Sequence, residues 1–165
     1  MFDYQRIIDK YYPEGSPLRD IYCRHCRSVA SEALAIAARK GLDLDPALIE
    51  AAAMLHDIGI FLCSAPSIHC CGSAPYLDHG PLGAALLRRE GAPEELAAVA
   101  EHHTGSGIGE MTPRTPLERL ICYADKFYSK SGDMRRKPLA AVEQSLARFG
   151  PDSLARFRAL HREFA

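Results

Sequence analysis

Apolar positions along the chain fall into helical windows separated by proline and glycine. Residues 2–12 put Phe2, Ile7, Ile8 and Tyr11 on a short helix that Pro13-Glu14-Gly15 breaks. Ser16-Pro17 reads as an N-cap followed by proline at the first helical position. Residues 18–40 predict a long helix, with Ile21, Val29, Ala33, Leu34, Ile36 and Ala37 in a helical period and Gly41 as its stop. Asp45-Pro46 caps a third helix. Its run from Ile49 to Leu55 is apolar on nearly every side apart from Glu50, which predicts burial. Gly59 is expected to end it in the left-handed conformation.

From 61 to 78 the pattern fails: Pro66, Gly72 and Pro75 interrupt it, and Ser, Cys and His fill the gaps. A loop this long in a compact domain is more often functional than not. His79-Gly80-Pro81 starts a helix through Arg89, Ala92-Pro93-Glu94-Glu95 starts another that ends near His103, and Gly105-Ser106-Gly107-Ile108-Gly109 reads as a connector. Thr115-Pro116-Leu117-Glu118 opens a helix carrying Leu120, Ile121, Tyr123, Ala124 and Phe127. The span from Lys130 to Lys137 is polar and basic, and two helices, 138–149 and 151–164, close the chain. No alternating strand pattern, internal repeat or domain boundary appears. The expected fold is all-α, a single helical bundle over residues 1–165 with its core at about 18–130 and its C-terminal helices at about 138–164.

Composition narrows the function classes. The chain has 165 residues, 47% hydrophobic and 25% charged, with a net charge of -1. That suits one soluble core and gives no electrostatic footprint for a nucleic acid polymer. No apolar run reaches the roughly 18 residues of a membrane span. The opening Met1-Phe2-Asp3-Tyr4-Gln5-Arg6 is mixed and charged, unlike a secretory signal. A cytoplasmic location is the expectation, with Cys23, Cys26, Cys63, Cys70, Cys71 and Cys122 reduced.

The candidate chemistry starts at His56-Asp57, where an imidazole and a carboxylate close a buried helix. A charge taken out of water needs a partner, and a cation is one; a His-Asp hydrogen-bonded pair closing the helix is the plainer alternative. His25, His79, His103 and Asp125 each lie on their own helix or at its end, so a bundle can aim them at one centre. Such donors suit iron, manganese, nickel, cobalt or zinc better than magnesium alone. Six of them exceed the needs of one tetrahedral zinc and suit two cations sharing a carboxylate, or one octahedral ion. A rival picture pairs Cys23 and Cys26 with Cys70 and Cys71 around a structural zinc. His102 and His103 compete for one ligand position, because helix neighbours point about 100° apart. His69 is read either as a phosphate- or metal-binding residue or as a plain loop residue, and His161 as a surface residue.

The ordered set His25, His56-Asp57-Ile58-Gly59, His79-Gly80-Pro81-Leu82-Gly83-Ala84, His103-Thr104-Gly105 and Tyr123-Ala124-Asp125-Lys126 resembles the HD-domain superfamily of metal-dependent phosphohydrolases over most of residues 20–130. Its last three stretches are similar to the small bacterial members that hydrolyse diadenosine tetraphosphate. That group typically carries an arginine three residues after its first histidine, where this chain has Ser28, with Arg27 one place earlier. The loop 61–78 is a second departure, and together they point to a sister group with another substrate. The resemblance implies one metal held by His25, His56, Asp57 and Asp125, and a second held by His79 and His103 with Asp57 as the bridging, catalytic carboxylate. Iron or manganese is the foremost expectation, with nickel, cobalt, zinc or magnesium as alternatives. It further implies a water activated between the cations and hydrolysis of a small phosphorylated substrate, a nucleotide or dinucleoside polyphosphate. Lys126, next to Asp125, is a candidate for catalysis and for pairing with a substrate phosphate, or else a solvated lysine. Arg135-Arg136-Lys137 is either a phosphate contact or a solvated face. The partners expected are the small substrate and, as an allowed assembly, a second copy of the chain, with no nucleic acid polymer and no membrane. The alternatives are a di-iron oxygenase of the same superfamily and a metal-containing nucleotide-binding module without turnover.

Overall fold

The computed structural model describes residues 2–105 and 111–165; the greater part of the connector 105–109 lies outside them. Among the described residues there are eight α-helices: α1 (Tyr4–Tyr11), α2 (Pro17–Lys40), α3 (Pro46–Leu55), α4 (His79–Arg89), α5 (Glu94–His102), α6 (Pro116–Asp125), α7 (Leu139–Ala147) and α8 (Pro151–Phe164). Among the described residues the fold is all-α apart from one short hairpin. No helix among the described residues is long and apolar enough to cross a membrane.

α2 is the spine. The Ser16 side chain accepts from Arg19 N at 3.2 Å, and Gly41 closes the helix in the left-handed conformation at φ 61°. Tyr22, Cys26, Val29, Ala33 and Ile36 form its buried stripe. α3 lies against α2 and is buried from Ala51 to Leu55, as its all-round apolar run predicts. α4 packs on α5, and α6 crosses α2, α3 and α5. α8 covers the outer face of α6, where Phe157 and Phe164 meet Tyr123 at ring-centroid distances of 5.7 and 5.6 Å.

The structure departs from two of the expected features. Gly59 does not end α3 in a left-handed conformation: its φ and ψ are -84° and -3°, and the helix passes through turns at His56–Gly59 into a 3₁₀ turn, Ile60–Leu62. Glycine is needed there for room, because a Cβ would lie 2.4 Å from the His79 carbonyl oxygen and 2.6 Å from Gly83 N. The turn after α3 therefore lies directly on the start of α4. The loop 61–78 is also not patternless. β1 (Ser64–Ala65) pairs antiparallel with β2 (Cys70–Cys71), around a tight turn over Pro66–Ile68. Ile68 and Cys70 turn into the core, which a two-residue strand cannot announce by alternation.

Two stacked tyrosines fix the end of α3. Tyr12 and Tyr22 have ring centroids 4.2 Å apart; Tyr12 donates to Ile58 O at 2.8 Å and Tyr22 to Met54 O at 2.5 Å. These bonds occupy carbonyls on both sides of His56-Asp57 and hold that pair in place.

Candidate metal centre and its cavity

The structure brings all six predicted donors together, in two sets. His25, His56, Asp57 and Asp125 offer one group of atoms within 4.8 Å of one another, and Asp57, His79 and His103 offer the other. Asp57 belongs to both, and its two oxygens divide between them. Oδ2 lies 3.1 Å from His25 Nε2 and 3.2 Å from His56 Nε2. Oδ1 lies 3.2 Å from His79 Nε2 and 3.3 Å from His103 Nε2. Asp125 Oδ1 closes the first set at 2.9 Å from His25 Nε2 and 3.3 Å from His56 Nε2.

The far side of each ring says what the near side is for. His56 Nδ1 donates to Ala53 O at 2.6 Å, His103 Nδ1 to Ala100 O at 2.7 Å, and His79 Nδ1 to Tyr76 O. A carbonyl can only accept, so each of these nitrogens carries the proton. In a neutral ring, Nε2 then presents a lone pair to the centre. His79 Nε2 and His103 Nε2 face each other at 3.0 Å. Two lone pairs at that distance repel unless something positive lies between them. His25 differs, since its buried Nδ1 has no hydrogen-bond partner among the described residues. Both oxygens of Asp57 are buried; Lys130 Nζ lies 2.7 Å from Oδ2, and among the described residues the surrounding imidazole nitrogens make no well-aligned hydrogen bond to either oxygen. A buried carboxylate and inward-facing lone pairs are the donor set of a divalent cation site. The observed residues fit that group.

Charge at the centre follows. Burial disfavours ionisation of Asp57, yet His56 and Lys130 hold its carboxyl well below the usual carboxylate range. Burial likewise opposes Asp125, and Lys126 with His25 and His56 outweighs it, again downward. Burial pushes His103 down to about 4. For His56, burial is outweighed by Asp57 and Asp125, which raise its proton affinity well above the ordinary value. Those carboxylates call for positive charge at its Nε2, and a proton or a metal cation answers the same call.

The centre opens into a cavity of about 290 Å³ whose walls include Tyr76, Leu77, His79, His103, Asp125, Lys126, Lys130, Lys137 and Phe149. Lys126 donates to His103 O at 2.9 Å and sits 3.3 Å from Asp125 Oδ2, so it is held at the wall. Nothing in the sequence singles out Lys130, whose Nζ lies 2.7 Å from Asp57 Oδ2 and 5.7 Å from the Tyr76 ring centroid. It lies beyond the end of α6, where no helical period could tie it to Asp57. The basic run 135–137 separates into three fates. Arg135 is exposed, Arg136 forks onto Glu32 while covering the Phe127 ring at 4.0 Å, and Lys137 lines the cavity.

The remaining candidates lie elsewhere. His69 is exposed and does not line the cavity; it follows the turn Pro66–Ile68 at φ 63°, where Ile68 rather than His69 is drawn inward. His102 is buried and pairs through Nδ1 with Glu118 Oε2 at 2.7 Å, leaving His103 to face the centre. His161 is not a plain surface residue: it is half-buried and its Nδ1 meets the Tyr123 hydroxyl at 3.0 Å. All six cysteines are free thiols, and among the described residues no group of metal-capable side chains includes one, so the structural-zinc picture has no support.

Comparison with known proteins gives the family. The family described as HD domain matches residues 22–129, well over half of the chain. A tRNA (cytidine(56)-2'-O)-methyltransferase of Thermoplasma volcanium is 28% identical over 97% of this chain and 46% of its own length. One of the same description from Picrophilus torridus is 25% identical over 88% of this chain and 42% of its own length. An uncharacterized protein of Methanocaldococcus jannaschii is 32% identical over 61% of this chain and 62% of its own. The chain thus spans about half the length of the methyltransferases it matches. No solved structure gives a significant match. The chain belongs to the HD domain family.

Proposed function

We propose that this HD-domain protein is a metal-dependent phosphohydrolase acting on a small phosphorylated substrate of the nucleotide class. The observation that carries the reading is the sharing of Asp57 between two sets of inward-facing donors at the floor of a cavity walled by three lysines. His25, His56, Asp57 and Asp125 would hold one cation, and Asp57, His79 and His103 a second. Bound there, such cations neutralise phosphate charge and lower the pKa of water.

The chain's own residues supply the rest. The carbonyls of Ala53, Tyr76 and Ala100 keep the imidazoles aimed before any ligand arrives. Fixed donors of this kind avoid reorganisation during the reaction. Lys126 and Lys130 stand over the two carboxylates and offer ammonium groups to phosphate oxygens. Three lysines at the wall favour an anionic substrate. The methylation named for two of the relatives is not carried over, since this chain spans less than half of either. None of the three relatives compared is named as a diadenosine tetraphosphate hydrolase, so a dinucleoside polyphosphate stands as one member of the substrate panel rather than as the assignment.

The test is phosphate release from nucleotides, dinucleoside polyphosphates and simple phosphate esters by protein loaded in turn with each candidate metal. Turnover of at least one substrate is expected, with Lys130→Ala slower by about 10²–10³-fold through loss of one charged contact at the developing charge. Silence across the panel with every metal contradicts the reading. Tight nucleotide binding without product would make the domain a binding module instead.

A further inference from the structure

The cavity has features that the metal centre does not use. Lys137 is half-buried at its wall, and among the described residues no carboxylate forms an ion pair with it. Its position is fixed by the backbone: Lys137 N donates to Phe127 O at 2.8 Å, while Glu32 accepts from both Tyr128 and Arg136. The segment is therefore pinned on either side of Lys130 and cannot easily swing its cations into solvent. Burial, with Lys126 and Lys130 nearby, lowers the proton affinity of Lys137, which Asp125 only partly offsets. An ammonium so placed lacks an anion.

The mouth has the opposite character. Among the described residues Leu77 and Phe149 are the large apolar side chains left exposed, at 49% and 51%, and both stand at the wall of this same cavity. Leu77 comes from the 3₁₀ turn Tyr76–Asp78 before α4, and Phe149 from just beyond α7. Exposed apolar residues scattered singly need no explanation. Two from distant parts of the chain at one charged cavity form a composite surface: cationic inside, apolar outside. At about 290 Å³ the cavity is just below the range that takes a whole drug-sized ligand.

We propose that Lys137 with Lys130 binds the phosphate, and Leu77 with Phe149 receives the flat head group, of a single-headed phosphate monoester, a nucleoside monophosphate. The assignment rests on the phosphohydrolase reading and narrows it. In the reaction a water oxygen bonds to phosphorus and the phosphorus–oxygen bond to the nucleoside breaks. The departing oxygen takes a proton, leaving a nucleoside and inorganic phosphate. No oxidant or second substrate enters.

Calorimetric binding to the metal-loaded full chain tests recognition apart from turnover. The probes are the four common ribonucleoside monophosphates, with glycerol 2-phosphate and inorganic phosphate as ligands that lack the head group. At least one nucleotide should bind about ten-fold more tightly than either control. Phe149→Ala should lose that advantage, about ten-fold, while leaving inorganic phosphate unchanged. Lys137→Gln should weaken every phosphate ligand by about ten-fold with metal content intact, and Lys137→Arg should recover most of it. Equal binding of nucleotides and controls, or an unchanged Phe149→Ala, overturns the head-group assignment; an unchanged Lys137→Gln overturns the phosphate assignment. Product release is read separately: nucleotides that bind as described without being cleaved would remove the phosphohydrolase reading and leave the recognition standing.

Discussion

At the scale of single residues, identity matters less than which atom of the ring is occupied. His103 is aimed by Ala100, and His102, one position away, is claimed by Glu118. Replacing His102 by alanine leaves a buried carboxylate short of a partner, although the Arg114 backbone N–H still meets it at 2.9 Å. The expected cost is about 1–3 kcal/mol in urea unfolding with no change in metal content; a loss of metal would show that His102 serves the centre. His103 itself carries a pH signature. Folding moves it from 6.5 to about 4. Between those values the unfolded chain takes up a proton that the folded chain refuses. Its contribution to the stability of the metal-free protein therefore falls as pH is lowered through that window. His103→Gln should shrink the drop in urea midpoint between about pH 7 and about pH 4.5, and identical drops in the two proteins would contradict this.

At the scale of elements, the centre depends on how closely three segments cross. The turn after α3 touches the start of α4 at Gly59, with no space for a methyl group against His79 O. Gly59→Ala should force the two apart, costing about 1–3 kcal/mol and weakening metal retention as His79 shifts relative to Asp57. Unaltered thermal unfolding and metal content would show that the crossing is softer than this. The helices were legible in sequence because Ser16-Pro17, Asp45-Pro46 and Thr115-Pro116 punctuate clear apolar stripes, and the six donors were legible because each marks a helix or a helix end. Lys130, Leu77 and Phe149 were not, because they reach the cavity from turns and helix ends whose direction only tertiary packing sets. His69 reads both ways in sequence for the same reason; its loop turns on Ile68 and leaves the imidazole outside the cavity.

At the scale of the whole molecule, one buried centre of carboxylates and imidazoles ties together α2, the end of α3, the start of α4, the end of α5 and the end of α6. Cations bound there would cross-link most of the bundle. A ligand that binds only the folded state at 100 times its dissociation constant adds about 2.7 kcal/mol. For a chain of this size that is a rise of roughly 5–10 °C in Tm, reversed by a chelator; a Tm indifferent to both metal and chelator would argue against a structural link. The most direct measurement is elemental analysis of purified protein alongside His79→Ala and Asp57→Asn. Two divalent ions per chain are expected in the wild type, one in His79→Ala and none retained in Asp57→Asn. The same metal content in all three proteins, or none in the wild type after reconstitution, would contradict this.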